Sequence, residues 1–279
     1  MSIVSPELLR RFDVPGPRYT SYPTADRFVE AFSSTHFEQA LMQRCADALP
    51  GARPLSLYVH LPFCEQLCHF CACNKIVTRD KSRAANYLGQ LARELDLVLA
   101  SLGGGQSLSQ LHWGGGTPTF ISHAEMRELM RVTRAYFNLR DGDRGEYGIE
   151  LDPREIGPGT LALLRELGFN RASLGVQDLD ADVQRAVNRI QSEEQTVAVA
   201  EEARALGFRS ISLDLIYGLP RQSLTSFDRT LERVLALRPD RVSIYNYAHL
   251  PQRFKPQRRI DAADAARAAR QACHPRAHH

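Results

Sequence analysis

Cys64, Cys68 and Cys71 stand as C-x3-C-x2-C, and Cys73 follows two positions later, so four of the six cysteines in this 279-residue chain crowd one short stretch. Thiolate is the metal-binding form of cysteine, and a free thiol ionises only near pH ~8.5, so several neighbouring thiols are favoured where a metal helps remove their protons. A soft metal is the natural guest. Zinc usually takes two ligand pairs from separated knuckles into a closed tetrahedron, and a second pair here would have to come from Cys73, His60 or His69. Three ligands in one loop instead suit an iron-sulfur cluster. Cubane clusters ordinarily use four cysteines, so a three-cysteine loop leaves one iron open to a substrate or cofactor. Cys45 and Cys273 lie apart from the group.

Other residues are less specific on their own. Gly114-Gly-Gly-Thr-Pro118 is either a tight turn or a run without Cβ atoms that lets backbone groups approach a ligand closely. Arg189 and Asp214 could be a surface ion pair or a strand-end cap. His60, Tyr19 and Arg18 could be structural or could touch a substrate.

These residues need a scaffold, and from about residue 54 onward short β-rich runs alternate with longer helical patterns. Strands are expected at 55–60, 109–113, 146–151, 171–175, 210–216 and 241–247. Ser122 with Glu125 and Ser192 with Gln195 fit the capping box that opens a helix. Gly168 and Gly207 end helical runs where a left-handed residue is needed. The stretch 164–171 and the stretch 203–210 write the same helix, Gly-Phe turn and strand twice. Six strands joined by helical crossovers imply a parallel sheet, best drawn as a partly open α/β barrel. Ligands gather at the carboxyl ends of such strands, where the cysteine loop and the glycine run both fall.

The formal net charge of +3 is too small to make nucleic acid or an anionic membrane the expected partner. Lys75, Lys81 and Lys255 are the only lysines, so arginine carries nearly all the positive charge, a bias that suits carboxylates and phosphates. No secretory pattern opens the chain, and no stretch approaches the roughly 20 apolar residues of a membrane span. A cytoplasmic location follows as an expectation, and there reducing conditions argue for metal ligation before disulfides.

The cysteine spacing and its surroundings resemble the radical S-adenosylmethionine (SAM) superfamily. More narrowly, the chain is similar to the oxygen-independent coproporphyrinogen III oxidase family of haem (porphyrin) biosynthesis. The shared text includes Pro17-Arg-Tyr-Thr-Ser-Tyr-Pro-Thr24, Cys73-Asn-Lys-Ile-Val-Thr-Arg79, Leu111-His-Trp-Gly-Gly-Gly-Thr-Pro118 and Asp152-Pro-Arg-Glu-Ile156. It continues with Gly175-Val-Gln-Asp178, Val187-Asn-Arg189, Asp214-Leu-Ile-Tyr-Gly-Leu-Pro220 and Asn246-Tyr-Ala-His-Leu-Pro251. The resemblance implies a (β/α)6 radical SAM barrel over 53–256; composition and pattern add a covering segment with one helix (36–49) over 1–52 and an Ala/Arg-rich tail over 257–279, irregular or a truncated remnant. The resemblance further implies that Cys64, Cys68 and Cys71 bind a 4Fe-4S cluster while Cys73 does not. Tyr58, Gly114, Thr117 and Glu150 would hold the cluster-bound SAM, and Phe70, Gly115, Gly116, Gln177, Arg189, Asp214 and Ala248 a second one. Tyr58, His60 and Cys73 are the candidates for catalysis.

The implied reaction is one-electron cleavage of SAM to a 5′-deoxyadenosyl radical. That radical removes hydrogen from two propionates of coproporphyrinogen III, which lose carbon dioxide and become the vinyl groups of protoporphyrinogen IX. A reduced flavodoxin- or ferredoxin-type donor and a monomeric enzyme are expected. The family carries a further helical domain for which the tail offers no counterpart, so a shortened copy with weak or absent turnover is also expected. The competing readings are a cluster- or haem-binding protein without turnover and a zinc-stabilised binding module.

Overall fold

The computed structural model describes residues 5–12, 23–46, 54–140, 144–261 and 263–264. Arg18, Tyr19, most of the proline-punctuated segment, Cys273 and nearly all of the alanine-rich tail lie outside the described residues. The chain divides into two compact units, one of residues 1–52, 96–103 and 275–279, the other of 53–95 and 104–274. The first carries α1 (Pro6–Phe12) and α2 (Ser34–Ala46), the latter starting two residues before the expected helix.

The second unit follows the alternation read from the sequence. It begins with β1 (Leu55–Leu61), then the short β2 (Phe63–Cys64) and β3 (Ile76–Val77). Next come α3 (Ser82–Leu102), β4 (Gln106–Gly115), α4 (His123–Tyr136), β5 (Phe137–Leu139) and β6 (Glu146–Leu151). After them stand α5 (Thr160–Glu166), β7 (Arg171–Gln177), α6 (Ala181–Ala186), α7 (Glu193–Ala205), β8 (Ser210–Tyr217), α8 (Leu224–Ala236) and β9 (Arg241–Asn246). The six expected strands pair in parallel in the order β1-β4-β6-β7-β8-β9, and β5 joins the sheet against the first residues of β4. Among the described residues the end strands β1 and β9 are not bonded to each other, which leaves the barrel open.

The differences from the sequence reading are local. Strand β4 is longer than expected and extends into the glycine run. The pieces β2, β3 and β5 are only two or three residues long, too short for an alternating pattern to register. The ordered chain also continues past residue 256, because Gln257 and Ile260 are buried in and beside the 3-10 helix Lys255–Arg259.

Helix boundaries are set by side-chain chemistry. Ser122 with Glu125 and Ser192 with Gln195 form reciprocal capping boxes at α4 and α7. Gly168 and Gly207 take φ of 103° and 82° at the two repeated turns, where a Cβ would be strained. The phenylalanine that follows each glycine is buried. Phe169 meets Trp113 edge-on with centroids 4.8 Å apart, and both rings are fully enclosed. Truncating a buried aromatic ring costs about 3–5 kcal/mol. Phe169→Ala should therefore lower unfolding stability by about that amount, and the fluorescence of Trp113, the single tryptophan, should report the loss directly in a urea titration.

Candidate functional site

Period-two alternation divides each parallel strand into two faces. Val59, Leu61, Leu111, Trp113, Ile149, Leu151, Leu174, Val176, Leu213 and Leu215 are buried on one of them. The residues between carry the polar groups: Tyr58, His60, His112, Glu150, Ser173 and Asp214. Register places these groups side by side. Tyr58 lies opposite His112, His60 opposite Gly114, Glu150 opposite Ser173, and Gly175 opposite Asp214.

Neighbouring strands are joined by hydrogen bonds across this polar face. The Glu150 carboxylate accepts from the Gly115 amide at 3.0 Å, and its other oxygen lies 3.3 Å from His112 Nε2. Tyr58 stacks on His112 with a 12° interplanar angle. His60 Nε2 is 2.9 Å from the Asn74 carbonyl, which can only accept, so that nitrogen carries a proton. Its Nδ1 then faces the Tyr58 hydroxyl at 3.1 Å. Both ring nitrogens of His60 are thus engaged, which removes it as a ready zinc ligand. Burial and the Glu150 charge push the Tyr58 hydroxyl up to about 12, so it is a hydrogen-bond donor at neutral pH.

The glycine run is shaped by contacts within the protein. A Cβ on Gly114 would stand 2.8 Å from Glu150 Oε1, one on Gly115 2.7 Å from His60, and one on Gly116 2.5 Å from the Phe63 carbonyl. The last is a backbone atom and cannot swing aside. Gly116 and Thr117 donate to the Leu61 and Phe63 carbonyls at 2.9 and 2.7 Å. The glycine turn is consequently fastened to the root of the cysteine loop.

That loop is closed by the parallel pair β2 and β3, reinforced by Ile76 N–H to Pro62 O (2.7 Å) and Thr78 N–H to Cys64 O (2.9 Å). Inside it, Lys75 Nζ donates to the carbonyls of Cys71 (3.0 Å) and Cys73 (3.4 Å). From outside, Asn188 Nδ2 donates to Leu67 O and the His69 amide to Val187 O. Gln257 Nε2 lies 3.1 Å from the carbonyls of both Phe70 and Ala248, while the Phe70 ring packs on Val183, Val187 and Leu219. The cysteines are not equivalent. Burial pushes the Cys64 thiol up to about 11. Cys71 and Cys73 influence each other: the neighbouring Cys73 and Lys75 hold Cys71 below the ordinary thiol range, while Cys71 and burial drive Cys73 above it.

Cys68 is buried and faces two arginines. Arg154 Nη2 and Arg189 Nη1 each stand 3.7 Å from its Sγ, and Asp152 bridges them at 2.6 and 2.9 Å. Arg189 also donates to the Gly175 carbonyl at the end of β7. Arg189 is therefore neither a surface pair nor a partner of Asp214. Asp214 accepts from the Ser173 hydroxyl at 2.9 Å, and burial raises its carboxyl.

Among the buried polar atoms without hydrogen-bond partners are Asp214 Oδ1 and Arg189 Nε. Gln177, at the register shift that ends β7, adopts φ of 68°, a left-handed conformation that costs a non-glycine residue about 1–3 kcal/mol and is typical of ligand-facing positions. Among the described residues no three His, Cys, Asp or Glu side chains converge on a single-ion site. A cubane takes its thiolates on separate irons, and three cysteines on one loop closed by β2 and β3 fit that donor set. Unsatisfied polar atoms beside it suit a polar ligand.

Of the expected residues, Gly114, Gly115, Glu150 and Gln177 lie in the last two residues of their strands, Phe70, Gly116, Thr117 and Ala248 lie in the loops beyond strands, and Tyr58 and Asp214 lie within β1 and β8. His112, Asp152, Arg154, Lys75 and Gln257 were not singled out from sequence. Asp152 and Arg154 had one legible signal, an Asp-Pro-Arg run whose aspartate caps a 3-10 helix. The burial that pairs them with Arg189 needs the fold.

Residues 58–234 match the family model described as the Radical SAM superfamily. The chain is 56% identical over 258 residues to an oxygen-independent coproporphyrinogen III oxidase from Pseudomonas aeruginosa, covering 92% of this chain and 55% of that protein. It is 51% identical to the Escherichia coli protein of the same name, covering 92% and 54%. A solved Escherichia coli coproporphyrinogen III oxidase, described as a radical SAM enzyme, superposes with a TM-score of 0.81 at 50% identity, covering 88% of this chain and 55% of that one. The chain thus spans about half the length of the curated relatives it matches.

The electrostatics of Asp214 give a testable consequence. Its folded-state pKa is raised by burial, so its contribution to stability is fully present below the unfolded carboxyl value of about 3.9 and is lost as pH rises through the folded value. Asp214→Asn should remove that loss. At pH 7 the unliganded variant should be more stable than wild type by about 1 kcal/mol, with the difference shrinking toward pH 4, as measured by chemical denaturation at each pH.

Proposed function

The chain belongs to the radical SAM superfamily, and on that premise we propose that it performs the chemistry of the oxygen-independent coproporphyrinogen III oxidases. The substrate is coproporphyrinogen III, and the outcome is oxidative decarboxylation of two propionates to vinyl groups in haem biosynthesis. The observation that carries this reading is the meeting, at one end of a parallel sheet, of the three-cysteine loop, the glycine turn and the Glu150 carboxylate.

In this reading Cys64, Cys68 and Cys71 hold a 4Fe-4S cluster, and Tyr58, Gly114, Thr117 and Glu150 hold SAM beside it. When bound, cluster and SAM together supply a one-electron reduction and a carbon radical able to remove a hydrogen atom. The protein's own work is positioning. Glu150, already fixed by the Gly115 amide and His112, offers a carboxylate to an ammonium or ribose hydroxyl. Gly114, Gly115 and Gly116 allow close approach, and Tyr58 presents a donor beside His60. A second SAM would lie along Phe70, Gly115, Gly116, Gln177, Arg189, Asp214 and Ala248, where Asp214 Oδ1 and Arg189 Nε await partners. Cys73 is exposed and in this reading stands outside the ligand set. His60 and Cys73 remain the candidates for contact with the substrate.

A reduced flavodoxin- or ferredoxin-type protein serves as electron donor in this proposal, and the enzyme works as a cytoplasmic monomer. Among the described residues no helix is long and apolar enough to cross a membrane. In this reading residues 53–256 are the catalytic barrel and residues 1–52 a separate N-terminal segment.

Anaerobic reconstitution tests the proposal. The chain should turn brown and bind about four irons, as a cubane requires. Cys68→Ser should bleach the cluster and Cys73→Ser should retain it. With SAM, reductant and coproporphyrinogen III, mass spectrometry should find 5′-deoxyadenosine and vinyl product. A colourless protein with stoichiometric zinc would overturn the proposal, and an intact cluster without vinyl product would leave cofactor binding without decarboxylation.

A further inference from the structure

The Arg154, Asp152 and Arg189 side chains are each more than nine-tenths buried, with 8, 9 and 8% of their surfaces exposed. Two guanidiniums share this one carboxylate, so the three side chains together carry one net positive charge while largely buried, with Glu155 the next acid beside Arg154. A buried unpaired charge is costly, and one partner acid satisfies only one of the two bases. All the donors except Arg189 Nε have evident targets. Arg154 Nε and Nη2 clasp Asp152 in a fork, Nη1 reaches Gln66 Oε1 at 3.2 Å, and Nη2 also faces Cys68 Sγ at 3.7 Å. Arg189 places Nη1 against both Asp152 and Cys68, and Nη2 on the Gly175 carbonyl. The carboxylate is tied in turn to its own backbone turn by the Arg154 amide at 3.1 Å. A further acid, Glu155, has its carboxyl raised by burial and by the nearby Asp152 and Glu65 charges, and its Oε2 is buried without a hydrogen-bond partner.

Both arginines thus converge on the sulfur of one proposed cluster ligand, one from the 3-10 turn after β6 and one from the connection between α6 and α7. Hydrogen bonds and charge at the sulfurs set the potential of an iron-sulfur cluster, because positive charge stabilises the form carrying the extra electron. We infer that the Arg154-Asp152-Arg189 group is the built-in counter-charge of the cluster, raising its reduction potential through Cys68 and fixing the orientation of that ligand. These are positioning residues acting through Cys68, and the inference rests on the cluster reading proposed above. It also divides the labour of Arg189, whose Nη atoms serve the cluster side while Nε stays free of protein partners.

The charge arithmetic predicts opposite signs for two substitutions, which general damage to the fold would not produce. Arg154→Met makes the group neutral, whereas Asp152→Asn adds a positive charge and keeps an oxygen for the Arg154 amide. Reconstituted wild type and variants would be compared by EPR-monitored redox titration, with iron content and circular dichroism measured on the same samples. At a fixed poise Arg154→Met should show a reduced-to-oxidised ratio at least ten-fold lower, equivalent to 59 mV for one electron. Asp152→Asn should show a higher ratio, and Arg154→Lys should stay near wild type. If Arg154→Met fails to load, Arg154→Lys against Asp152→Asn carries the same comparison, and equal ratios would refute the inference. Variants that load normally and share the wild-type potential, or move in one direction together, also overturn it. A wild-type chain that takes up no iron and sulfide overturns the cluster reading itself.

Discussion

The common register of six parallel strands is the constraint on which the site depends. Because side chains alternate with period two, one face collects the leucines, isoleucines and valines and the other collects tyrosine, histidine, glutamate, serine and aspartate. A slip of one residue in any strand would carry its polar groups into the apolar core. Burial of each large apolar side chain contributes about 1.5–3 kcal/mol, so the core enforces the register and thereby aligns the polar face. The one departure in β7 comes where that strand ends, between Gly175 and Gln177. It re-aims a side chain and terminates pairing, as bulges next to functional sites do.

Charge is handled differently on the two sides of the rim. Beneath the cysteine loop, two guanidiniums and one aspartate are packed away from water and directed at a sulfur. Across the sheet, Asp214 is buried with a serine hydroxyl as its closest support and no cation in contact. Each arrangement leaves polarity unmatched, with opposite sign, and each is complemented by the kind of partner the proposed function supplies: an anionic cluster on one side, a ligand rich in hydroxyl and ammonium groups on the other. Unsatisfied polarity is tolerated because the surrounding core is well packed, and its cost is recovered when a ligand binds.

Much of this was legible in the sequence because its signals are local. The cysteine spacing, the capping serines of α4 and α7, and the repeated Gly-Phe turns each act over a few residues, and the strands they delimit appear within one to three residues of their expected ends. The triple glycine was ambiguous until the fold placed Glu150, His60 and the Phe63 carbonyl where side chains would otherwise be. Arg189 was misleading in isolation, since an arginine carries no sign of whether it faces water. Its partner Asp152 lies 37 positions away, and only the juxtaposition of the turn after β6 with the connection between α6 and α7 brings them together. The same holds for His112, whose value lies in stacking on Tyr58 from the neighbouring strand.

The most direct test is EPR spectroscopy of the anaerobically reconstituted, reduced chain recorded with and without SAM. The account predicts the signal of a reduced cubane whose g-values shift when SAM is added, because ligation by three cysteines alone would leave one iron able to take SAM. A signal that ignores SAM, or no cluster signal at all, would contradict it.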